Sequence, residues 1–311
     1  MRFYLGTHQV GWLASVPASL FVSRRRLATR KRLPRAQRPW ALDSGGFSEL
    51  SIAGTWTLSA REYVGEVRRY RDEIGRLEWA AIQDWMCEPM MLRKTGLSIA
   101  EHQARTLTNY EELLQLAPEL PWVPVLQGWS LRDYFSHLEQ YVQRGHDLRQ
   151  TPLVGVGTMC RRQSTREAME ILSGLAQQGL RLHGFGMKTG ALHQGATEFL
   201  TSADSLAWSL RARFAHPLPG CTHQRCSSCP RFALRWLQHI EHEMHRSATK
   251  VGMRRAHRLG LDLGRPRCDL PPLSRVRKLF KRGASIAEIA ATLSCSSWAA
   301  RQAVAHVKMG Q

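Results

Sequence analysis

Short apolar segments alternate with amphipathic, helix-like segments six or seven times along the first 200 residues or so, and this alternation constrains the fold most. Each apolar segment has four to six residues and is followed by a polar residue or a glycine. The pattern predicts a parallel β-sheet covered by helices, as found in doubly wound sheets and in closed (β/α)8 barrels. The predicted strands include residues 2–6, 79–83, 122–126, 153–157, 182–186 and 201–204.

The residues that follow the apolar segments favour the barrel over the open sheet. They are Asp43, Asp84, Gln127, Gly157, Gly186 and Asp204. A barrel gathers the carboxyl ends of all its strands around one pocket, whereas an open sheet concentrates ligand contacts at one switch point. We therefore expect an α/β fold, a (β/α)8 TIM-like barrel whose polar strand ends surround a single site.

Capping signals mark two of the helices between the strands. Ser59 with Glu62, and Ser98 with Glu101, have the spacing of a capping box, in which each side chain accepts a hydrogen bond from the other residue's backbone. The predicted helices cover residues 59–74, 98–116, 130–144, 164–178 and 190–200.

The stretch from Ala41 to Leu50 is the first candidate for a functional loop. Its apolar lead-in ends at Asp43, and Ser44, Gly45 and Gly46 follow. A carboxylate at a strand end can point into a pocket, and glycine amides can lie close to a flat or anionic ligand. The alternative is an ordinary polar turn. Asp84 and Asp204 could extend the site with proton-transfer or nucleophilic carboxylates, although strand-end aspartates also cap helices.

Positive charge dominates the composition. Lysine and arginine number 44 against 25 acidic residues, a formal net charge of +19 spread along the whole chain. A polyanionic partner, nucleic acid before membrane, is the economical explanation, and the alternative is a generally cationic soluble protein. Arg24, Arg25 and Arg26 begin an arginine-rich segment that either contacts phosphates or forms a solvated loop. No apolar run approaches the roughly 18 residues that span a bilayer, and no signal peptide is recognisable, so we expect a cytoplasmic protein.

Three of the seven cysteines lie within nine residues and indicate a metal site. Cys221, Cys226 and Cys229, with His223, supply a tetrahedral set of sulfur and nitrogen ligands suited to a structural Zn²⁺. The fourth ligand is open at this stage, because other histidines follow downstream: His242, His245 and His257. A catalytic zinc is the less favoured alternative, since no open coordination position is evident.

The last forty residues predict a small helical module of their own. A helix from Ser274 to Arg282 and a second one opened by Ser285 lead into a third that carries Arg301 and Gln302. This arrangement is typical of a helix-turn-helix that places its last helix in a DNA major groove, although such modules also contact proteins. The predicted domains are a barrel (1–216), a zinc-binding subdomain with a helix (217–260), a linker (261–272) and the helix-turn-helix (273–311).

The motifs together resemble a known family. The sequence Asp43-Ser44-Gly45-Gly46-Phe47, the later Asp204 and the cysteine cluster resemble the tRNA-guanine transglycosylase superfamily, whose members are (β/α)8 barrels with a zinc-binding insertion. The opening stretch from Phe3 to His8 is closer still to its DNA-acting branch, the DpdA-type enzymes that place 7-deazaguanines into DNA. The resemblance covers residues 1–260.

The resemblance also implies roles for individual residues. Asp204 would be the nucleophile that attacks the anomeric carbon of a deoxyguanosine, and Asp43 would shuttle protons and contact the base. The implied substrate-binding residues are Ser44, Gly45, Gly46, Phe47, Asp84, Gln127, Gly155, Gly157 and Gly186. The chain departs from the tRNA enzymes at His223, which stands where they have a cysteine, and at Ser48, where they have glutamine. The terminal helix-turn-helix is another departure and favours DNA.

The sequence therefore predicts a DNA guanine transglycosylase that exchanges guanine for a 7-deazaguanine, such as 7-cyano-7-deazaguanine, through a covalent intermediate. The alternatives are the same exchange on tRNA and a non-catalytic DNA-binding regulator built on an inactive barrel. The expected partners are DNA and the 7-deazaguanine base, without a membrane. Accessory DNA-modification proteins and a homodimer are left open.

Overall fold

The computed structural model of the chain describes residues 1–159, 166–187, 190–191, 195–261 and 269–309. Its contacts divide the chain into two compact units. The first is Met1–Val251 and the second is Gly252–Gln311.

The first unit is built on a sheet of parallel strands. In the described part of the chain, the strands are β1 (Arg2–Thr7), β2 (Leu20–Ser23), β3 (Trp40–Asp43), β4 (Leu77–Ala81), β5 (Trp122–Val123), β6 (Val125–Leu126), β7 (Val154–Val156), β8 (Leu182–Gly184) and β9 (Leu200–Ser205). Their order is β5-β4-β3-β2-β1-β9-β8-β7-β6. Every strand pair in this order is parallel.

The two ends of this order are consecutive pieces of one strand, separated only by Pro124. Proline has no N–H to donate to a ladder, which explains the interruption. The carbonyl of Pro124 still accepts a hydrogen bond of 2.8 Å from the N–H of Gly155 on β7. With β5 and β6 counted as one strand, the sheet closes as an eight-stranded barrel, which confirms the predicted TIM-like fold.

Helices surround the barrel. Among the described residues of the first unit they are α1 (Arg24–Leu27), α2 (Gly46–Ala53), α3 (Ala60–Ile74), α4 (Pro89–Thr95), α5 (Ile99–Leu116), α6 (Leu131–Gln143), α7 (Arg166–Gln177), α8 (Ala207–Phe214) and α9 (Pro230–Arg258), the last of which runs on into the second unit. Helices α3 and α5 begin after complete capping boxes, in which Ser59 pairs with Glu62 and Ser98 with Glu101. These two helix starts are as predicted.

Several elements differ from the sequence-based expectation. Strand β2 was not predicted, because its apolar part is only three residues long. Helix α9 was expected to end near His245 but continues to Arg258. No proline follows its first residue, Pro230, and its one glycine, Gly252, lies beyond the expected end. In the predicted helix 190–200, residues 192–194 lie outside the described part, and Ala196–Glu198 forms a short 3-10 helix. Residues 164–165 of another predicted helix also lie outside it.

Side chains alternate between the inside and the outside of the barrel. Phe3 and Leu5 of β1 pack with the outer core shared with the helices, whereas Tyr4 between them belongs to an inner cluster. The inner cluster comprises Tyr4, Phe21, Ala41, Trp79, Ala81, Val123 and Leu153. A period of two residues is expected for strands with one face in the barrel and one under helices. The aromatic members fill the interior, so polar strand ends are the place for a site.

The part of the second unit that the structure describes contains three further helices, α10 (Leu273–Lys281), α11 (Ile286–Thr292) and α12 (Ser297–Met309). They enclose a small core of their own in which Val276, Ile289 and Val304 are buried. Helix α11 starts after the predicted capping box of Ser285 and Glu288. Throughout the described residues, we find no helix with the length and apolar character required to cross a bilayer.

Candidate active site

A cavity of about 260 Å³ opens at the carboxyl ends of the barrel strands. The residues that line it are Gly6, Thr7, Phe21, Ser23, Asp43, Ser44, Gly46, Phe47, Ala81, Asp84, Met86, Glu88, Gly157, Thr158, Phe185, Gly186, Asp204 and Leu206. Five of the six strand-end residues singled out in the sequence are among them: Asp43, Asp84, Gly157, Gly186 and Asp204. The sixth, Gln127, lies behind Asp84 and touches it.

Asp43 ends β3 and is held by the turn that follows. The N–H of Gly45 donates a 3.1 Å hydrogen bond to its Oδ1, and Gly45 adopts a φ of +79° that favours glycine. Burial raises the pKa of Asp43, and the nearby Asp204 carboxylate raises it further, while hydrogen bonds from Gly45 and Ser23 oppose the shift. A carboxyl group in this setting can hold a proton more readily than an ordinary aspartate.

The second glycine of the turn allows a close approach between helix α2 and the cavity wall. A Cβ atom at Gly46 would lie 2.8 Å from Cε of Met86 and 2.9 Å from Cζ2 of Trp56. The buried hydroxyl of Ser44 donates to Asp84 at 3.4 Å, and Phe47 stands 44% exposed at the cavity rim. The Asp-Ser-Gly-Gly-Phe stretch thus forms one wall of the cavity.

Asp84, which follows β4, lies at the centre of a buried polar network. The side-chain amide of Gln127 donates to Asp84 Oδ2, and the Oγ1 of Thr158 donates to Gln127 Oε1 at 2.6 Å. Burial, followed by the charges of Asp43 and Glu88, raises the pKa of Asp84 to about 7, although the Gln127 amide lowers it. Near neutral pH, this carboxyl group can therefore either donate or accept a hydrogen bond.

Two glycines of the β7 region leave room for their neighbours. A Cβ atom at Gly157 would lie 2.1 Å from Nε2 of Gln127, so any side chain there would displace the amide. At Gly155, a Cβ atom would lie 2.5 Å from the ring of Phe185. Gly157 lines the cavity, whereas Gly155 lies deeper and makes space for an aromatic ring that lines it.

Asp204, in β9, is only 5% exposed and is held at one oxygen. Its Oδ1 accepts a 2.9 Å hydrogen bond from the N–H of Gly186 and lies 3.3 Å from Nε2 of His183. Its backbone carbonyl accepts from the N–H of Met187 at 2.7 Å. One cavity therefore presents a fixed carboxylate, Asp204, and a carboxyl group with a raised pKa, Asp43. Such a pair can divide the roles of nucleophile and acid–base group.

Four residues that complete the site were not predicted from the sequence: His183, Phe21, Phe185 and Thr158. The rings of Phe21 and Phe185 lie 6.0 Å apart between their centroids and line the cavity, where they can stack on a planar ligand. A histidine or an aromatic residue inside an apolar strand is read as core, so only the register of β8 against β9 reveals that His183 lies beside Asp204.

The four predicted metal ligands lie together. The ligand atoms of Cys221, His223, Cys226 and Cys229 are all within 4.8 Å of one another. The sulfurs of Cys221 and Cys229 are 3.9 Å apart, close to the roughly 3.8 Å edge of a tetrahedron with metal–sulfur bonds of about 2.3 Å. This group could hold a metal ion, and the soft sulfur-rich donor set fits one that prefers tetrahedral geometry.

The structure also places the alternative fourth ligands. Nε2 of His223 lies 3.1 Å from the sulfur of Cys226. His242, His245 and His257 are exposed along helix α9 and are not part of the cluster of possible ligands. Phe232 of the same helix packs against the cysteines, so the cluster fastens the start of α9 to the loop before it.

The three arginines of α1 have different surroundings. Arg24 is buried, with its Nε 2.7 Å from Glu66 and its NH1 3.3 Å from Glu49. Arg25 is exposed and pairs with Glu49 at 3.1 Å, and Arg26 is exposed with no hydrogen bond or ion pair to another described residue. A phosphate contact therefore suits Arg26 best, because the guanidinium of Arg24 is already occupied. In the second unit, Arg301 is exposed and Gln302 is half-buried on α12.

A family model described as DpdA, DeoxyPurine in DNA protein A, matches residues 1–280. The matched range includes the whole barrel and the cysteine cluster. No curated protein matches the chain.

Proposed function

Because the chain belongs to the DpdA family, which implies a role in deazapurine modification of DNA, we propose that it is a DNA guanine transglycosylase. It would exchange a guanine base of DNA for a 7-deazaguanine, such as 7-cyano-7-deazaguanine. The observation that carries this proposal is the meeting of Asp43 and Asp204 in one cavity, with different environments. A transglycosylase needs both a nucleophile for the sugar carbon and a group that gives and takes a proton.

In the first half of the exchange, the carboxylate of Asp204 attacks C1′ of the target deoxyguanosine. A C1′–O bond forms to the enzyme and the C1′–N9 bond breaks, so that its electron pair passes to the base. Asp43, whose raised pKa favours the protonated form, gives its proton to the departing guanine. The product is a covalent ester between Asp204 and the DNA sugar.

In the second half, the 7-deazaguanine occupies the position that guanine has left. Asp43 takes the proton from its N9, and the N9 electron pair attacks C1′ while the bond to Asp204 breaks. The proton given in the first half is thereby recovered, and Asp204 returns to its carboxylate form. The exchange needs no oxidant, reductant or external proton.

The walls of the cavity suit the edge and the faces of a guanine-like ring. Asp84 and Gln127 supply polar groups for the ring edge, with the backbone at Gly157 beside them. Phe21 and Phe185 supply apolar faces. Since the sugar of a paired nucleotide is hidden in the duplex, the target must be flipped out or single-stranded.

The cysteine cluster has a structural role in this proposal. Zn²⁺ is the ion that best suits three thiolates and one imidazole, and Cys221, His223, Cys226 and Cys229 would hold it. When bound, the ion would hold together the loop of residues 221–229, which ends immediately before α9 begins at Pro230. All four positions are taken by protein ligands, so no open position is left for substrate.

The positive charge of the chain supports DNA as the partner. Exposed arginines, among them Arg25 and Arg26 near the start of α1, can neutralise backbone phosphates. We propose that α11 and α12 form a helix-turn-helix whose second helix presents Arg301 and Gln302 to the DNA. The net charge of +19 favours this use of the module over a protein contact.

The proposal is tested by incubating the protein with labelled guanine and either guanine-containing DNA or tRNA. We expect label to enter DNA and not tRNA. Label in tRNA alone would instead support a tRNA-guanine transglycosylase, and label in neither would favour a non-catalytic DNA-binding regulator. A mass spectrum of nucleosides from DNA of cells that express the protein would identify the inserted 7-deazaguanine. In the labelling assay, preincubation of the protein with extracts of those cells would supply any accessory protein that the exchange requires.

A further inference from the structure

His183 is fully buried beneath the cavity and touches Asp204 from below the strand ends. It lies on β8 and pairs with Ser202 of β9. Ser202 precedes Asp204 by two residues on that strand. Side chains two residues apart on a strand share a face, so Ser202 and Asp204 both point toward the histidine ring. The ring spans the two: Nδ1 is 2.9 Å from the Ser202 hydroxyl and Nε2 is 3.3 Å from Oδ1 of Asp204.

The chemistry of the partners fixes which nitrogen carries a proton toward Asp204. An ionised carboxylate only accepts hydrogen bonds, so Nε2 must donate to it. The Ser202 hydroxyl can donate to Nδ1, which matches the imidazole tautomer that carries its proton on Nε2. Ser202 therefore selects the tautomer that Asp204 requires.

A shell of aromatic rings holds the imidazole in place. Its centroid lies 4.6 Å from that of Trp79, 4.8 Å from Phe185, 5.8 Å from Phe21 and 6.1 Å from Tyr4. Close packing on several sides leaves the ring little freedom to rotate. The hydrogen bond to Asp204 is consequently made by a rigid donor at the floor of the cavity.

The two oxygens of Asp204 are not equivalent. Oδ1 accepts from both Gly186 and His183, whereas Oδ2 accepts no hydrogen bond from any residue in the described part of the chain. Asp204 lines the cavity, so the oxygen without donors is the one available to a substrate. Donors on Oδ1 also lower the freedom of the carboxylate to turn about its Cβ–Cγ bond.

We propose that His183 is a positioning residue that aims Oδ2 of Asp204 at C1′, with Ser202 fixing its tautomer; this inference rests on the proposed transglycosylase function. The new bond forms between Oδ2 and C1′, and Oδ1 becomes the carbonyl oxygen of the ester. Oδ1 keeps its two donors throughout. In the second half of the exchange the same donors stabilise the carboxylate as it leaves C1′.

Substitutions at His183 separate the hydrogen bond from the packing. His183→Gln can place an amide N–H where Nε2 stands, whereas His183→Leu fills much of the volume without a donor. We expect His183→Leu to slow formation of the covalent protein–DNA adduct on the order of 10- to 100-fold, with KM for DNA little changed. His183→Gln should recover most of that rate. Ser202→Ala should have an intermediate effect.

A measurement on the native side chain guards against a variant that fails to fold. Nitrogen-15 NMR of the histidine-labelled protein should show His183 with a protonated Nε2 and a bare Nδ1, and the Nε2 signal should shift in Asp204→Asn. A protonated Nδ1 with a bare Nε2 would overturn the inference. So would an adduct that forms in His183→Leu at the wild-type rate. Failure of the wild-type protein itself to form any adduct would count against the proposed function, and the NMR signature would still decide the hydrogen bond.

Discussion

The side-chain amide of Gln127 donates a hydrogen bond to Oδ2 of Asp84 across the ends of two neighbouring barrel strands. That bond favours the ionised form of Asp84, yet burial and the charges of Asp43 and Glu88 outweigh it and raise the pKa of Asp84 to about 7. Asp84, whose protonation changes near neutral pH, is therefore tied directly to the amide beside Gly157.

The first prediction concerns stability and pH. Asp84 has a pKa of about 7 in the folded protein and 3.8 as the ordinary value, so between these pH values the folded state binds more protons than the unfolded state. The contribution of Asp84 to the free energy of unfolding falls as pH rises through this window and levels off above it. In Asp84→Asn that fall disappears, so the Tm of the variant relative to wild type should increase from pH 4 to pH 7. Parallel Tm curves would contradict the prediction.

The second prediction concerns the acid–base role of Asp43. Asp43→Asn keeps the shape of the side chain and its hydrogen bond from Gly45, but it can no longer give or take a proton. We expect base exchange to slow by roughly 10²- to 10⁴-fold, with loss of the pH dependence that Asp43 causes.

Asp204→Ala should abolish the protein–DNA adduct altogether, measured as a band resistant to denaturation. An adduct that persists in Asp204→Ala would move the nucleophile to Asp43.

The third prediction tests the close approach at Gly157. In Gly157→Ala the new methyl group would overlap the Gln127 amide, whose nearest atom is 2.1 Å from the Cβ position. We expect weaker binding of guanine by isothermal titration and slower exchange, because Gln127 and Asp84 are displaced together. Gly65→Ala is the matched control, since no atom lies within 4 Å of its Cβ position and it stands inside helix α3. It should leave exchange unchanged and stabilise the protein by about 0.5–1 kcal/mol.

The fourth prediction concerns the metal. Cys226→Ser removes a buried ligand, and we expect loss of bound zinc by elemental analysis together with a lower Tm. Cys295→Ser, a cysteine outside the cluster, should keep the metal. His223→Ala should weaken zinc binding while His242→Ala leaves it intact. A Cys226→Ser protein that folds normally with one zinc per chain would defeat the assignment.

The fifth prediction separates structural arginines from DNA contacts. Arg24→Ala removes the buried guanidinium that pairs with Glu49 and Glu66, although Glu49 keeps its pair with Arg25, and we expect the free energy of unfolding to fall by about 3 kcal/mol. Arg26→Ala and Arg301→Ala should leave stability unchanged and weaken DNA binding. Each should reduce the slope of log affinity against log salt by roughly 0.7–0.9. An unchanged slope for both would remove these residues from the interface.

Local signals in the sequence predicted the elements that depend on neighbours along the chain. The capping boxes at Ser59 and Ser98 fixed two helix starts, because both partners lie within three residues. Strand β2 was missed for a different reason. Its apolar part is only three residues long, and its strand character comes from pairing with β1 and β3, which are distant in sequence.

The sequence predicted the aspartates of the candidate site, which lie near strand ends, but not its residues in the middle of strands. Asp43, Asp84 and Asp204 follow apolar runs, and closure of the barrel brings them to one cavity. His183 carries no such signal, since it lies within a strand and acquires its partner from the register of β8 with β9. The ion pairs of Arg24 were likewise hidden, because its two carboxylate partners lie 25 and 42 residues further along the chain.

Asp204 is the one proposed nucleophile in the cavity. The cavity volume of about 260 Å³ is smaller than the roughly 300 Å³ at the lower end of ordinary ligand pockets. The outgoing and incoming bases must therefore use the same place in turn. Guanine has to depart before its replacement arrives, and for that interval the enzyme holds the DNA as its only substrate. The proposed exchange thus has a fixed kinetic order, in which one base is released before the second is bound, and each base competes with the other for the same intermediate.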